Sequence, residues 1–381
     1  MIVRRGLLAG LCAAGVFLLW HWWSPSATPP ASADGVAALL RDRRDNEGYA
    51  RVTGPRPLRL PEDHAAHPDF RHEWWYVTGQ LQTERGRWFG FQATFFRFAL
   101  SPVAYPTKSD WRTRQALLAH FALTDIEGQT FTGRERRARA SHGLAAAATD
   151  RPAVWINDWA LHQATPNGVW TLDLASADAA LSLRLAPDGA PVLQGDRGYS
   201  QKSAAAGNAS HYYSQPRLSA SGSLKFGGAT HEVTGLAWLD HEWGTSALGE
   251  EQQGWDWFAV HFDDGRSLSF YRLRQRDGAT DPHSRGVLIG SDGQAQALGA
   301  EAVVMTPLRW WRSPQTGARY PVQWRVQLPA QQLDFELNAL VDGQEWTGDL
   351  KYWEGAVGTR GPDAPDVLTG RGYLELTGYS P

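Results

Sequence analysis

Asp240-His241-Glu242-Trp243 places three ionisable side chains and an indole in a row, in an otherwise apolar stretch. Trp255-Asp256-Trp257 follows, so that both groups fit within 18 residues. In an extended strand, successive side chains point to opposite faces. His241 and Trp243 then share one face, opposite Asp240 and Glu242. The indoles of Trp255 and Trp257 share a face opposite Asp256. Near the N-terminus, His72, Trp74 and Tyr76 share a face opposite Glu73 and Trp75.

Acids beside electron-rich rings suit one reaction in particular. Adding water to an unactivated alkene needs a strong acid to protonate carbon, aromatic faces to stabilise the cation, and a held water. A carboxylic acid whose pKa is raised by apolar surroundings can be that acid. Asp256, between two tryptophans, is a candidate for it, and Asp240 or His241 for holding the water. Glu73 and Glu354 are further candidate carboxyls. Trp74, Tyr76, Trp243, Trp255, Trp257 and Tyr352 are candidate ligand contacts, Tyr352 also as a donor. Asp240, His241, Trp243, Trp255, Asp256 and Trp257 are expected to converge on one cavity or on a domain junction. The structural alternative is that the acids bind backbone N–H groups and the rings fill a core.

Other chemistries lack their residues. None of the three His-Glu pairs has the second histidine of a His-Glu-x-x-His zinc site. No Gly-x-Ser-x-Gly elbow occurs, and no phosphate-cradling glycine loop. Cys12 is the only cysteine, so a disulfide or a thiolate metal site is out of reach. A formal net charge of −3 carries no basic footprint for nucleic acid. No cofactor and no metal are expected.

The elements that must position these residues are short strands. Trp74–Leu81 and Trp88–Phe96 alternate aromatic and β-branched residues around the turn Glu84-Arg85-Gly86-Arg87. Leu117–Thr124, Val169–Leu174 and Leu181–Leu185 continue the pattern. In the second half, Trp255–Phe262 and Ser267–Arg274 flank the turn Asp263-Asp264-Gly265-Arg266. Further strands are expected at 301–306, 322–328, 332–340, 345–353 and 370–377. This makes about eight strands per half, a number that closes a ligand-holding barrel. The fold class is all-β. His72-Glu73-Trp74 recurs as His241-Glu242-Trp243, each followed by an aromatic hairpin with a Gly-Arg turn. That pattern suggests an internal duplication, with the boundary near residues 245–254. The 19 tryptophans supply large apolar surfaces for two cores.

The N-terminus carries Arg4-Arg5, an apolar run from Leu7 to Trp20, and Ala31-Ser32-Ala33 as a cleavage site. Residues 1–33 are therefore an export signal or, with residues 7–23 retained, an inner-membrane anchor. A periplasmic or secreted location follows. Residues 34–60 are a linker with a possible short helix at 36–49. Residues 61–248 and 249–381 are the two barrel domains.

Several segments resemble one family. They are His72-Glu73-Trp74-Trp75-Tyr76-Val77-Thr78-Gly79, Gly195-Asp196-Arg197-Gly198-Tyr199-Ser200-Gln201-Lys202 and Ser210-His211-Tyr212-Tyr213-Ser214. Ala237 to Gly244, Gly254 to Phe258, Tyr352 to Gly355 and Gly372 to Tyr379 continue the series in order. Together they resemble the AttH / carotenoid-hydratase (CrtC) family. The resemblance implies two lipocalin-like antiparallel barrels in tandem. The expected function is that of an exported protein holding an apolar or lipid-like ligand in an aromatic-lined cavity; the alternatives are hydratase, lyase or isomerase chemistry, the activity of family members labelled only as predicted secreted hydrolases, or an accessory role beside a transporter. Some exported members look to be encoded beside ABC-type transporters, which makes such a transporter a possible partner. One fold hosts several chemistries, so the reaction does not transfer with the family.

Overall fold

The computed structural model describes residues 46–103, 112–163, 168–246, 248–348, 350–362 and 364–379. The leader, its cleavage site and most of the expected helix at 36–49 lie outside the described residues.

The first half opens with a meander of long strands: β1 (His72–Thr83), β2 (Trp88–Ala99), β3 (Gln115–Asp125) and β4 (Thr130–Arg139). Shorter strands follow: β5 (Ala145–Ala147), β6 (Ala153–Ile156), β7 (Trp159–Gln163), β8 (Trp170–Ala175) and β9 (Ala179–Pro187). Two fragments, β10 (Val192–Leu193) and β11 (Tyr199–Gln201), lead to the long pair β12 (Ala209–Phe226) and β13 (Ala229–Gly244). They form one sheet ordered β4-β3-β2-β1-β13-β12-β9-β8-β7-β6-β5, curled into a nearly closed barrel. The thirteen strands exceed the expected eight because the return from β4 to β9 is broken into short pieces, and β10 and β11 pair only with one end of β12.

The second half begins with β14 (Gln252–Phe262), β15 (Ser267–Gln275), β16 (Arg285–Ile289) and β17 (Ala295–Leu298). It continues through β18 (Val304–Arg312), β19 (Arg319–Leu328) and β20 (Leu333–Ala339). It ends with β21 (Glu345–Thr347), β22 (Lys351–Gly361) and β23 (Ala364–Leu376). The order β17-β16-β15-β14-β23-β22-β20-β19-β18 makes a half-barrel. The strand expected at 345–353 is a hairpin, with Thr347 opposite Lys351. In each half the last strand returns to pair with the first, β13 with β1 and β23 with β14.

This shared topology changes the meaning of the repeated His-Glu-Trp triplet. The second copy lies on β13, not at the start of the second half. It pairs antiparallel with the first copy, Glu73 opposite Trp243 and Trp74 opposite Glu242. A glutamate therefore faces an indole on both sides of the sheet. The counterpart of β1 in the second half is β14, with Trp255-Asp256-Trp257.

Each half has its own core. Val77, Leu81, Phe91, Phe121, Trp159 and Trp170 are buried inside the barrel. Phe258, Val260, Trp324, Trp353 and Leu374 fill the half-barrel. The opposite faces of the same strands do not meet water. Tyr76, Tyr212 and Trp238 from the first sheet pack against Trp257, Tyr271 and Tyr373 from the second. The approach is close: a Cβ on Gly90 would lie 2.5 Å from the Cβ of Ala356. Gln80 Nε2 crosses the junction to donate to the carbonyls of Val357 and Gly372, at 2.7 and 2.8 Å. Thr124 donates to Gln344 Oε1 at 2.7 Å. Pro216 interrupts the β12 ladder, shifting its register between Gln215 and Leu218. Its freed carbonyl accepts from His261 Nε2 at 2.6 Å.

The seam of the barrel, between β4 and the short strands, is held by Arg136. It donates to the carbonyls of Ile156 and Ala175 at 3.3 and 3.0 Å, and its guanidinium lies 4.4 Å over the Trp159 ring. Trp159 is fully buried and donates to Ala175 at 2.7 Å. Trp159→Ala should cost about 3–5 kcal/mol by leaving a cavity. Arg136→Met, which keeps apolar cover, should cost about 1–2 kcal/mol. Urea unfolding of both variants checks this ranking; an Arg136→Met loss as large as that of Trp159→Ala would show that the seam depends on the charge.

Candidate functional site

A cavity of about 80 Å³ opens between the two halves. Period-two alternation brings its walls together from eight strands, among them β2 with Thr94 and Phe96 and β15 with Tyr271 and Leu273. Trp74 and Tyr76 come from β1, Tyr212 from β12, and Asp240 and Glu242 from β13. The half-barrel supplies Trp255 and Trp257 from β14, Tyr352 and Glu354 from β22, and Glu375 from β23. Each of three acids lies opposite an aromatic residue on the neighbouring strand: Glu242 opposite Trp74, Asp240 opposite Tyr76, and Glu375 opposite Trp257.

Four carboxyls and one ammonium share this space. Glu242 is ion-paired to Lys202 at 2.9 Å and hydrogen-bonded by Ser210. Burial works against the Lys202 charge, but Glu242 outweighs it and holds the pKa above its ordinary value. Asp240 accepts from Ser214, Trp238 Nε1 and Tyr212, at 2.5, 2.7 and 2.7 Å. Burial nevertheless pushes its pKa up to about 7, because these donors offset only part of the desolvation. Among the described residues, no cation is paired with Glu354 or Glu375. They are register partners on β22 and β23. Burial raises the Glu375 pKa to about 8, and repulsion from Asp240 and Glu242 adds to it. Glu354 is raised well above the ordinary carboxyl range by burial and then by Glu375. The cavity therefore favours the protonated form of both carboxyls and walls them with indoles and phenols.

The sequence candidates divide by strand parity. Asp240, Glu354, Trp74, Tyr76, Trp255, Trp257 and Tyr352 face this cavity. Glu73, His241 and Trp243 point the other way, into one end of the first barrel. Asp256 points into the half-barrel. The expected convergence of Asp240, His241, Trp243, Trp255, Asp256 and Trp257 therefore holds only for Asp240 and the two β14 indoles.

Asp256 is not sandwiched between those indoles. Its register partner Arg272 donates to it at 2.8 Å, Tyr379 donates at 2.8 Å, and Arg274 lies 3.5 Å away. A carboxylate neutralised by guanidinium is suited to structure, not to proton donation.

Glu73 sits in a second buried network. Arg97 Nε donates to it at 2.7 Å, with both side chains fully buried. His67 Nδ1 and His241 Nε2 contact its other oxygen at 2.8 and 2.9 Å. Burial alone would raise the Glu73 pKa, but Arg97 and then His67 hold it well below the ordinary range. Burial drops His241 to about 4 despite Glu73. Trp243 stacks on His67 at 3.8 Å, and Trp75 on His241 at 4.6 Å. The donor atoms of His67, Glu73 and His241 lie within 4.8 Å of one another, a spacing compatible with a metal ion. Arg97 already supplies the countercharge to Glu73. A divalent ion here would leave excess positive charge in a buried site, so the triad reads as an ion-pair and hydrogen-bond network.

Sequence reasoning passed over Glu375, Glu242, Tyr212 and Lys202 as site residues. One signal was available for the first. Tyr352 and Glu354 are spaced like Tyr373 and Glu375, an aromatic and an acid on one face of each strand.

Two stability measurements follow from these opposed environments. Arg97→Met leaves Glu73 as an uncompensated buried charge and should cost about 3–5 kcal/mol. Glu375 has an ordinary pKa of 4.5 and a folded value of about 8. Below both values it is protonated folded or unfolded and contributes no pH dependence. As pH rises between them the unfolded chain ionises first, so folding stability falls. Wild type should therefore lose roughly 3–5 kcal/mol more than Glu375→Gln between pH 5 and 9 in urea unfolding. Parallel pH profiles would show that Glu375 is ionised in the folded protein.

The AttH-like family model matches residues 51–379. A crystal structure of an AttH from Nitrosomonas europaea is 36% identical, covering 87% of this chain and 99% of that one, with a TM-score of 0.78. Kievitone hydratase from Nectria haematococca shares the fold at 14% identity, covering 87% of this chain and 96% of its own, with a TM-score of 0.64. CghA does so at 12% identity, covering 90% and 98%, with a TM-score of 0.51. None of the proteins of curated function matches the chain. With a family model spanning nearly all described residues and a solved relative above one-third identity, the chain belongs to the AttH-like family.

Proposed function

We propose that this protein is an acid catalyst of hydratase type, adding water to an unsaturated apolar substrate held between the two halves. The observation that carries this reading is the Glu354–Glu375 pair, protonated by its surroundings and facing aromatic walls. Ligand retention alone needs only the walls; two buried acids without a cation are costly unless they are used. In the proposed reaction one acid of the pair gives its proton to an alkene carbon. Indole and phenol faces stabilise the resulting cation. Water adds to the cation and loses its extra proton to Asp240, which is poised near neutrality with a pKa of about 7 and fixed by three donors. The product is an alcohol. A cavity of about 80 Å³ accepts the reacting end of a molecule. Kievitone hydratase, a hydratase on the same fold, lends support as an analogy only. The export signal read in residues 1–33 would place this chemistry in the periplasm or outside the cell.

The experiment is incubation with acyclic polyenes, prenylated phenols and unsaturated fatty acids in oxygen-18 water, with mass spectrometry of the products. Wild type should incorporate label into at least one class. Glu354→Gln and Glu375→Gln should lose about 100-fold or more of that rate while still quenching tryptophan fluorescence on binding. Binding without label in wild type, unchanged in both variants, would replace the enzyme with a carrier.

A further inference from the structure

If the acid pair gives up a proton and Asp240 gains one, each turnover leaves the pair one proton short. Tyr352 on β22 lines the cavity beside Glu354. Its phenol is hydrogen-bonded to Nδ1 of His120 on β3, across the junction. Nε2 of the same imidazole lies 2.9 Å from Oε2 of Glu135 on β4. Glu135 is ion-paired through its other oxygen to Arg137 at 2.6 Å. The His120 side chain is fully buried, whereas that of Glu135 is 25% exposed. Three groups thus connect the cavity to water in a continuous row. Trp346 stacks on the imidazole at 4.3 Å and fixes its plane. Burial disfavours the imidazolium and holds the ring neutral, with one N–H.

We infer that Tyr352, His120 and Glu135 form a proton path between the inter-barrel cavity and solvent, recharging the acid pair after each turnover. The inference rests on the acid-catalytic reading of that pair. In the inward direction, water protonates Glu135, and Glu135 passes a proton to His120 Nε2. The imidazole releases its Nδ1 proton to the phenolic oxygen, and the phenol gives its own proton into the cavity, where Glu354 or Glu375 takes it. One proton enters and the imidazole remains neutral, with its tautomer exchanged; the proton left on Asp240, which lines the same cavity, leaves by the reverse sequence, and this restores the tautomer and closes the balance. His120 and Glu135 touch no substrate and act only through Tyr352. The competing role for His120 is a staple between β3 and β22, which stability alone would reveal.

Infrared spectroscopy separates the two. The protein is transferred from H₂O to D₂O at about pH 5, where exposed carboxyls are largely ionised and the buried pair is protonated. The carboxylic C=O band of the pair, assigned by its loss in Glu354→Gln and Glu375→Gln, shifts as it takes up deuterium. Glu135→Gln lies at the surface and should fold normally; Tyr352→Phe tests the inner end. Both should slow the shift by about tenfold or more if the path carries the exchange. Exchange at the wild-type rate in either folded variant would overturn the inference, whatever its stability, and leave the acid reading standing. A wild-type spectrum with no protonated band would sink the acid reading and the path together.

Discussion

The strands at the junction are buried on both faces, and the rest of the structure follows from that. β1, β12 and β13 turn one face to the barrel core and the other to the half-barrel, while β14, β22 and β23 do the reverse. No side chain there can be hydrated by simply facing outward. Every polar group must find a protein partner, give up its charge, or border the cavity. This explains why interior and junction are both lined with large rings. Trp75, Trp243 and Trp353 are fully buried in the interiors, and Trp238 in the junction.

The same residue type meets this constraint in two ways. Glu73 and Glu354 are both buried, each beside aromatic rings. Glu73 faces Arg97, so it stays ionised, and two imidazoles order themselves around the negative charge. Glu354 faces Glu375 and, among the described residues, no guanidinium, so burial and then Glu375 favour its protonated form. The decisive residue is the arginine. An ionised buried carboxylate is an anchor, whereas a neutral one is a store of acidity. Asp256 with Arg272 belongs to the first class, and its place on the half-barrel side of β14 keeps it from the second.

Strand parity was legible in the sequence because it is local. The split of Asp240 from His241 and of Asp256 from its flanking indoles follows from a repeat of two, and the structure has that split. What the sequence did not resolve is which face belongs to the cavity. In most sheets hydrophobicity marks the inner face, but here both faces are apolar and aromatic, so the marker is silent. Asp256 was therefore placed among the indoles that precede and follow it, while its partners Arg272 and Tyr379 come from elsewhere in the chain. The two His-Glu-Trp triplets misled in a related way. They resemble the starts of two repeats, but strand pairing makes them neighbours in one sheet. Glu375, Tyr212 and Lys202 join the cavity only through long-range register, which no single segment encodes.

A site built at a junction depends on how two bodies meet more than on either body. The barrel supplies Asp240, and the half-barrel supplies Glu354 and Glu375. Neither half alone assembles acid, base and aromatic walls. Their relative placement is fixed by contacts away from the cavity: the close approach of Gly90 to Ala356, the bonds from Gln80 to Val357 and Gly372, and that from Thr124 to Gln344. These groups lie away from the cavity, but a shift of an ångström at Gly90 would separate the carboxyls that line it. The two cores can therefore repack so long as their outer faces keep this register.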